Sequence, residues 1–241
     1  MENKKTLNIF LGFLAIAFLV VVFFVLKPEP QSEVVEKPQP QRYCFLNETQ
    51  SGDLYDRYIV DLTNDEGDIS GEVSFLPSEK DKKTGSISGT LSDATSYDFI
   101  KSVWSSSAEG MNVDEELYMK MYYDHIELAA GEMEERNGEY FYSSPETLSY
   151  SMSLDSIDCF DLDTKTDVAE YIQENIGELA GSGVLGGEFY TVSTFVDPRE
   201  RVGTVIYEDG HIREKATFAF EYSKENGVKI LYLVPEEERG S

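Results

Sequence analysis

The chain has 241 residues, 46 acidic against 20 basic, for a formal net charge of −26 at neutral pH. Nucleic acid is a poor partner for such a surface, because phosphate recognition works through basic patches and counterion release. Two histidines rule out a His-rich metal site.

The first element is Leu7 to Leu26, LNIFLGFLAIAFLVVVFFVL, an apolar run with one amide and no charge. At about 1.5 Å of rise per residue it spans roughly 30 Å, the thickness of a bilayer's hydrocarbon core. Backbone groups in hydrocarbon must pair within the segment, so a transmembrane helix is expected over residues 7–26, with the lipid bilayer as its partner. A cleaved signal peptide would carry a shorter apolar region and a small-x-small cleavage site. This run ends in Phe23-Phe24-Val25-Leu26-Lys27, so an uncleaved signal anchor is the expectation. Lys4 and Lys5 precede it, which makes residues 1–6 a cytoplasmic stub and sends the rest out of the cytoplasm, at the cell envelope. Residues 27–42, KPEPQSEVVEKPQPQR, contain four prolines and read as a semi-rigid polyproline-like linker.

From 43 to 160 the pattern is period two with turn signals at short intervals, which predicts strands. Tyr58, Val60 and Leu62 alternate with Ile59 and Asp61 before the turn Asn64-Asp65-Glu66-Gly67. Ile69 to Phe75, Ile87 to Leu91, Tyr97 to Trp104, Leu117 to Tyr123, Ile126 to Ala130 and Tyr140 to Tyr142 continue the alternation. Seven or eight antiparallel strands in succession predict a meander closed into a small barrel, or a strongly bent sheet. Gly71 and Gly89 fall on the apolar face, where a coiled sheet needs room to bend.

A connecting segment, 161–183, carries a helix that Thr166-Asp167-Val168 is expected to start, with Val168, Tyr171, Ile172, Ile176 and Leu179 as one stripe. Period two then returns over 184–236, with Asp209-Gly210 and Asn226-Gly227 as hairpin turns. One helix and four strands form a small antiparallel subdomain or an extension of the first sheet. The fold class is mainly β.

Chemistry is sparse. Cys44 and Cys159 flank the first block of strands. In an oxidising compartment they are expected to form a disulfide, the alternative being two buried free thiols. His125 and His211 sit at strand ends and read as satisfied surface groups, and no G-x-S-x-G elbow accompanies them. The Gly183 to Gly187 run lacks the lysine of a phosphate loop. Asp161-Leu-Asp163-Thr-Lys165-Thr-Asp167 resembles a calcium loop, but Lys165 and Thr166 stand at positions that need an oxygen ligand and a glycine. Glu132, Glu134 and Glu135 cluster at the Asn137-Gly138 turn, where solvated carboxylates are the ordinary case. Asn47-Glu48-Thr49 fits a glycosylation acceptor. No catalytic, cofactor-binding or metal-ligating residue is assigned. Fifteen tyrosines, fourteen phenylalanines and Trp104 fill a small barrel, or line a pocket in a wider one, with Trp104 the candidate pocket aromatic.

Leu76-Pro-Ser-Glu-Lys-Asp-Lys-Lys-Thr-Gly85 followed by Ser-Ile-Ser-Gly-Thr-Leu91, Trp104 to Asn112 with the strand pair ending at Gly131-Glu-Met133, and Tyr207-Glu-Asp-Gly-His-Ile212 resemble an uncharacterised family of membrane-anchored or lipoprotein-like proteins of candidate-phylum bacteria. The first part also resembles a calycin-like barrel. The resemblance implies a fold and a location but no activity, and this chain lacks the acylatable cysteine of the lipoprotein members.

These readings point to a non-enzymatic binding or scaffolding module at the cell envelope, holding a protein, a glycan or a small apolar ligand. An envelope hydrolase without a local signature is the alternative. A compartment reporter fused after Ser241 is expected to be active outside the cytoplasm. A cytoplasmic signal would contradict the orientation.

Overall fold

The computed structural model describes residues 39–78, 81–181, 183 and 187–236. The expected stub, the helix over 7–26 and most of the linker lie outside the described residues. Among those described, no helix is long and apolar enough to cross a membrane.

Alternating side chains and tight turns build the first sheet. Strands β1 (Gln41–Ser51), β2 (Leu54–Asp65), β3 (Asp68–Leu76), β4 (Lys83–Asp93), β5 (Asp98–Ala108) and β6 (Met111–Met121) each pair antiparallel with the next. The end of β6 pairs with β7 (His125–Ala130), and β10 (Ser149–Ile157) lies between β7 and β1. The result is a closed antiparallel barrel of eight strands. Glu66-Gly67 and Glu109-Gly110 make two-residue turns with both residues at positive φ. That conformation matches the right-handed twist of the flanking strands and is the reason glycine holds the second place.

Inside, Phe45, Leu62, Ile100, Trp104, Met119 and Leu154 belong to one continuous core. The strands coil tightly around it. A Cβ on Gly71 would come within 2.0 Å of the Asp61 carbonyl oxygen, and one on Gly89 within 2.2 Å of the Lys101 carbonyl oxygen. No side chain fits at either point, which is why the apolar faces of β3 and β4 are interrupted by glycine.

Three sequence expectations need correction. The barrel is not a simple meander. Tyr140 to Tyr142 falls in β9 (Glu139–Tyr142), which forms a hairpin with β8 (Met133–Arg136) across Asn137-Gly138 and joins β6 in parallel, outside the closed ring. The places left in the ring are taken by β1 and β10, which the alternation pattern does not mark as strands. The helix begins well before Thr166: α1 runs Cys159–Ala180, because the Asp158 carboxylate accepts from the Phe160 backbone N–H at 2.8 Å and caps it there. The acidic segment that resembles a calcium loop lies within its first three turns.

After α1, strands β11 (Tyr190–Asp197), β12 (Val202–Glu208), β13 (Arg213–Ser223) and β14 (Gly227–Pro235) make a second sheet in sequential order, separate from the barrel sheet. Val168, Ala169, Ile172 and Ile176 of α1 pack on Val205, Tyr207, Phe218 and Phe220 of this sheet. The helix also faces the barrel. Cys159 and Cys44 are bonded, with Cα atoms 5.3 Å apart. Lys165 Nζ donates to Glu48 Oε2 at 2.8 Å and to the Val196 carbonyl at 2.7 Å. Tyr55 stacks on Phe195 with ring centroids 4.8 Å apart. The described residues thus pack as one compact unit.

Arg42 adds a fork at the same junction. Its guanidinium donates to both oxygens of Asp61 at 2.7 and 2.9 Å, and to both oxygens of Asp163 on α1 at 2.6 and 3.1 Å. Donation from Arg42, together with Lys224 at 2.8 Å, holds the Asp163 carboxyl below the usual carboxylate range. A carboxyl depressed in the folded state stabilises above its unfolded pKa, and that stability is lost as pH falls through the folded pKa. Arg42→Met is therefore expected to cost about 1 kcal/mol at neutral pH, a figure discounted for partial exposure. The gap to wild type should shrink as pH drops below about 4. Denaturant unfolding at several pH values checks this, and a gap of constant size down to strongly acid pH would contradict it.

Candidate functional site

The barrel is filled in the middle and at one end. Trp104 is 1% exposed. Its Nε1 donates to the Gly85 carbonyl at 3.2 Å, and its ring meets Phe75 edge-on at 5.1 Å. Lys83 Nζ lies 4.3 Å over the indole and is paired with Glu115 at 2.7 Å. This ion pair and the indole form a plug. Trp104 is therefore interior filling, below the floor of a shallow recess of about 230 Å³ bounded by Lys83, Met111, Glu115 and Tyr140.

The opposite end is open. There the start of β1, the β4–β5 turn, the β6–β7 turn and the end of β10 converge around a cavity of about 830 Å³. Period two explains the lining. Tyr43 and Phe45 are two residues apart on β1, so both point inward. Asp98 and Met121 face each other where β5 meets β6. Tyr97 comes from the turn closed by the Ala94 N–H to Tyr97 carbonyl bond at 3.0 Å, and Tyr122 from the turn closed by its N–H to the His125 carbonyl at 2.8 Å. The Ser156 N–H donates to the Asp124 carbonyl at 2.8 Å and ties β10 to the same rim.

The rim groups are mutually ordered. Tyr97 and Tyr122 rings lie 5.6 Å apart, and Tyr122 stacks on the His125 imidazole at 4.4 Å with planes 7° apart. His125 Nδ1 is 2.7 Å from Asp124 Oδ1. That hydrogen bond holds the Asp124 carboxyl below its ordinary range, so it is an acceptor at neutral pH. The Tyr122 hydroxyl donates to Glu127 Oε2 at 3.3 Å, and burial followed by the Glu127 charge raises its pKa. Tyr123 is fully exposed. Lys120 Nζ lies over the rings of Tyr150 and Tyr97, at 3.9 and 5.1 Å. Among the described residues lining the cavity there is no cation. The mouth offers aromatic faces, two carboxylates, serine hydroxyls and an amide.

The residues singled out from the sequence are largely dispersed. Cys44 and Cys159 meet. His125 is engaged with Asp124 and Tyr122, whereas the His211 N–H donates to Asp209 in a turn of the second sheet, so the two histidines share no site. Glu134 pairs with Arg136 on the β8–β9 hairpin. Asp163 belongs to the Arg42 fork. The Asn47 amide donates to the Ser153 carbonyl at 2.9 Å and Thr49 donates to Asn47, so the acceptor sequence is tied into the sheet. Part of the Gly183 to Gly187 run, Val184 to Gly186, lies outside the described residues. No cluster of three or more His, Cys, Asp or Glu side chains able to hold a metal ion is found among those described.

The sequence pattern does not single out the mouth tyrosines. Their signal is positional: Tyr43, Tyr97, Tyr122 and Tyr123 all stand at strand ends on one side of an up-and-down order. No family model matches the chain, and neither does any curated protein or solved structure.

Proposed function

We propose that the chain is a single-pass, membrane-anchored binding module whose extracytoplasmic barrel holds a neutral glycan segment at its open mouth. The aromatic mouth carries this reading. An enclosed apolar ligand would need a hollow interior, and the interior here is filled by Trp104, Ile100 and Met119. Flat aromatic faces suit the C–H faces of sugar rings, while Asp98, Asp124, Ser96 and Ser156 can bond hydroxyl groups. The lack of a lining cation among the described residues and the net charge of the chain disfavour anionic ligands. The cavity is broad and open to solvent.

Anchoring rests on the apolar run at 7–26 and orientation on the lysines before it. The closed eight-strand barrel supports the calycin-like reading, in which the mouth is the usual place for a ligand.

Titration of the full chain with neutral oligosaccharides, followed by calorimetry, tests the assignment. Each of Tyr97→Ala and Tyr122→Ala is expected to weaken binding by about 1 kcal/mol, or roughly five-fold. Trp104 emission should not respond, because the indole lies inside the core. Equal affinity in the double variant would overturn the assignment. Release of shortened products would replace it with the envelope-hydrolase reading.

A further inference from the structure

A second opening lies between the barrel and the C-terminal layer, independent of the mouth. Arg57 of β2 projects outward opposite Glu48 of β1 and lines two adjoining lobes, of about 340 and 420 Å³. Glu48 is engaged by Lys165 at 2.8 Å. No hydrogen bond or ion pair joins Arg57 to any described residue, although burial desolvates its guanidinium while Glu48 and Glu170 act on it only through their charge. A half-buried guanidinium with five donors and no hydrogen-bonded partner among the described residues is costly, and a carboxylate oxygen pair is its best geometric complement.

The surroundings are arranged for an anion, against the character of the whole chain. Among the described residues the smaller lobe is bounded by three cations, Arg57, Lys82 and Arg213, and by one acid, Glu208. That acid is already held by Arg213 at 2.9 Å and by the Tyr190 hydroxyl. In a protein of net charge −26 this is a local positive excess. The larger lobe balances the same Arg57 and Lys82 with Glu170 and Glu174, so the charged end of an anionic ligand is favoured in the smaller one. Leu76, Pro77, Ala169 and Val192 supply apolar walls there, with Tyr55 and Tyr190 as rings.

Two further features point into the same lobe. The β11–β12 ladder passes from Thr191↔Tyr207 to Ser193↔Ile206, leaving Val192 as an extra, bulged residue, and bulges recur where a strand edge is shaped for a ligand. Thr191 Oγ1 is buried without a hydrogen-bond partner among the described residues.

We propose that this cleft binds a small organic carboxylate, its carboxyl group forked by Arg57 and its apolar body held between the barrel and the second sheet. The walls favour an organic body over inorganic phosphate, and the lobe is at the small end of ligand-pocket volumes.

The test is an amide-resolved NMR titration of the full chain with benzoate, benzamide and inorganic phosphate. Benzoate is expected to give saturable shifts at Arg57, Ala169 and Val192, and the other two to give none there. Arg57→Met should weaken benzoate binding about tenfold or more, the loss expected for a charge-assisted fork. Gln173→Trp, placed at the exposed lip shared by both lobes, should block binding with Arg57 intact, which keeps the test decisive if Arg57→Met does not fold. Absence of saturable benzoate shifts, an equal response to benzamide or phosphate, or full binding in Gln173→Trp would overturn the proposal.

Discussion

Closure of the barrel between β1 and β10 is the constraint on which the other features depend. That seam has three residue pairs, Cys44↔Ile157, Phe45↔Ser156 and Leu46↔Asp155, whereas β4 and β5 pair along their whole length from Thr84↔Ser107 to Asp93↔Asp98. A ladder so short contributes little by itself. The surrounding chemistry compensates. The Cys44–Cys159 bond joins the seam to the first residue of α1 across a separation of 115 residues, worth about 4–5 kcal/mol on the chain-entropy account of a loop that size. Asn47 reaches across to the Ser153 carbonyl, and the Arg42 fork binds β1, β2 and α1 together. Cys44, Ile59 and Leu162 form a small apolar cluster directly at this junction.

The same seam shapes the mouth. Tyr43 and Phe45 come from β1 and Ser156 from β10, while the turn holding Tyr122 and Asp124 is tied to β10 through the Ser156 N–H. Opening the seam would therefore spread the rim before it disturbed the plugged end. Packing is distributed accordingly. Around Trp104 the facing positions are small, Gly85, Gly89, Ser102 and Ser106, so one large ring fills a tightly coiled tube. At the mouth the large side chains line a cavity instead of closing it. The cleft at Arg57 depends on the seam too, since α1 forms one of its walls and is bonded to β1.

Much of the fold was legible from alternation. Strands β2 to β7 have one face in the core and one toward solvent, so Tyr58, Val60 and Leu62, or Ile87, Gly89 and Leu91, declare themselves. β1 was not legible because both its faces are covered where it matters: Cys44 and Phe45 are consecutive and each only 2% exposed, one toward α1 and one toward the barrel axis. In β10 a serine at every second place reads as loop composition, and the register shift between Tyr150 and Met152 moves the strand's large residues from the outer face to the core. The helix start was misplaced because Thr166 competes with Asp158 as a cap in the sequence, and only the bond to Cys44 and the fork to Asp163 show which residue serves. For the site, an excess of tyrosine was visible but not its place. Tyr43 and Tyr122 become neighbours only through closure by two strands that alternation did not mark.

Amide hydrogen exchange on the oxidised and the reduced full chain addresses this account most directly. Reduction of Cys44–Cys159 should accelerate exchange first in β1, β10, the opening turn of α1 and the Tyr122 to Asp124 rim, while β3, β4 and β5 keep their protection. Uniform loss across β3 to β5, or unchanged protection in β1 and β10, would contradict closure at a short, disulfide-held seam.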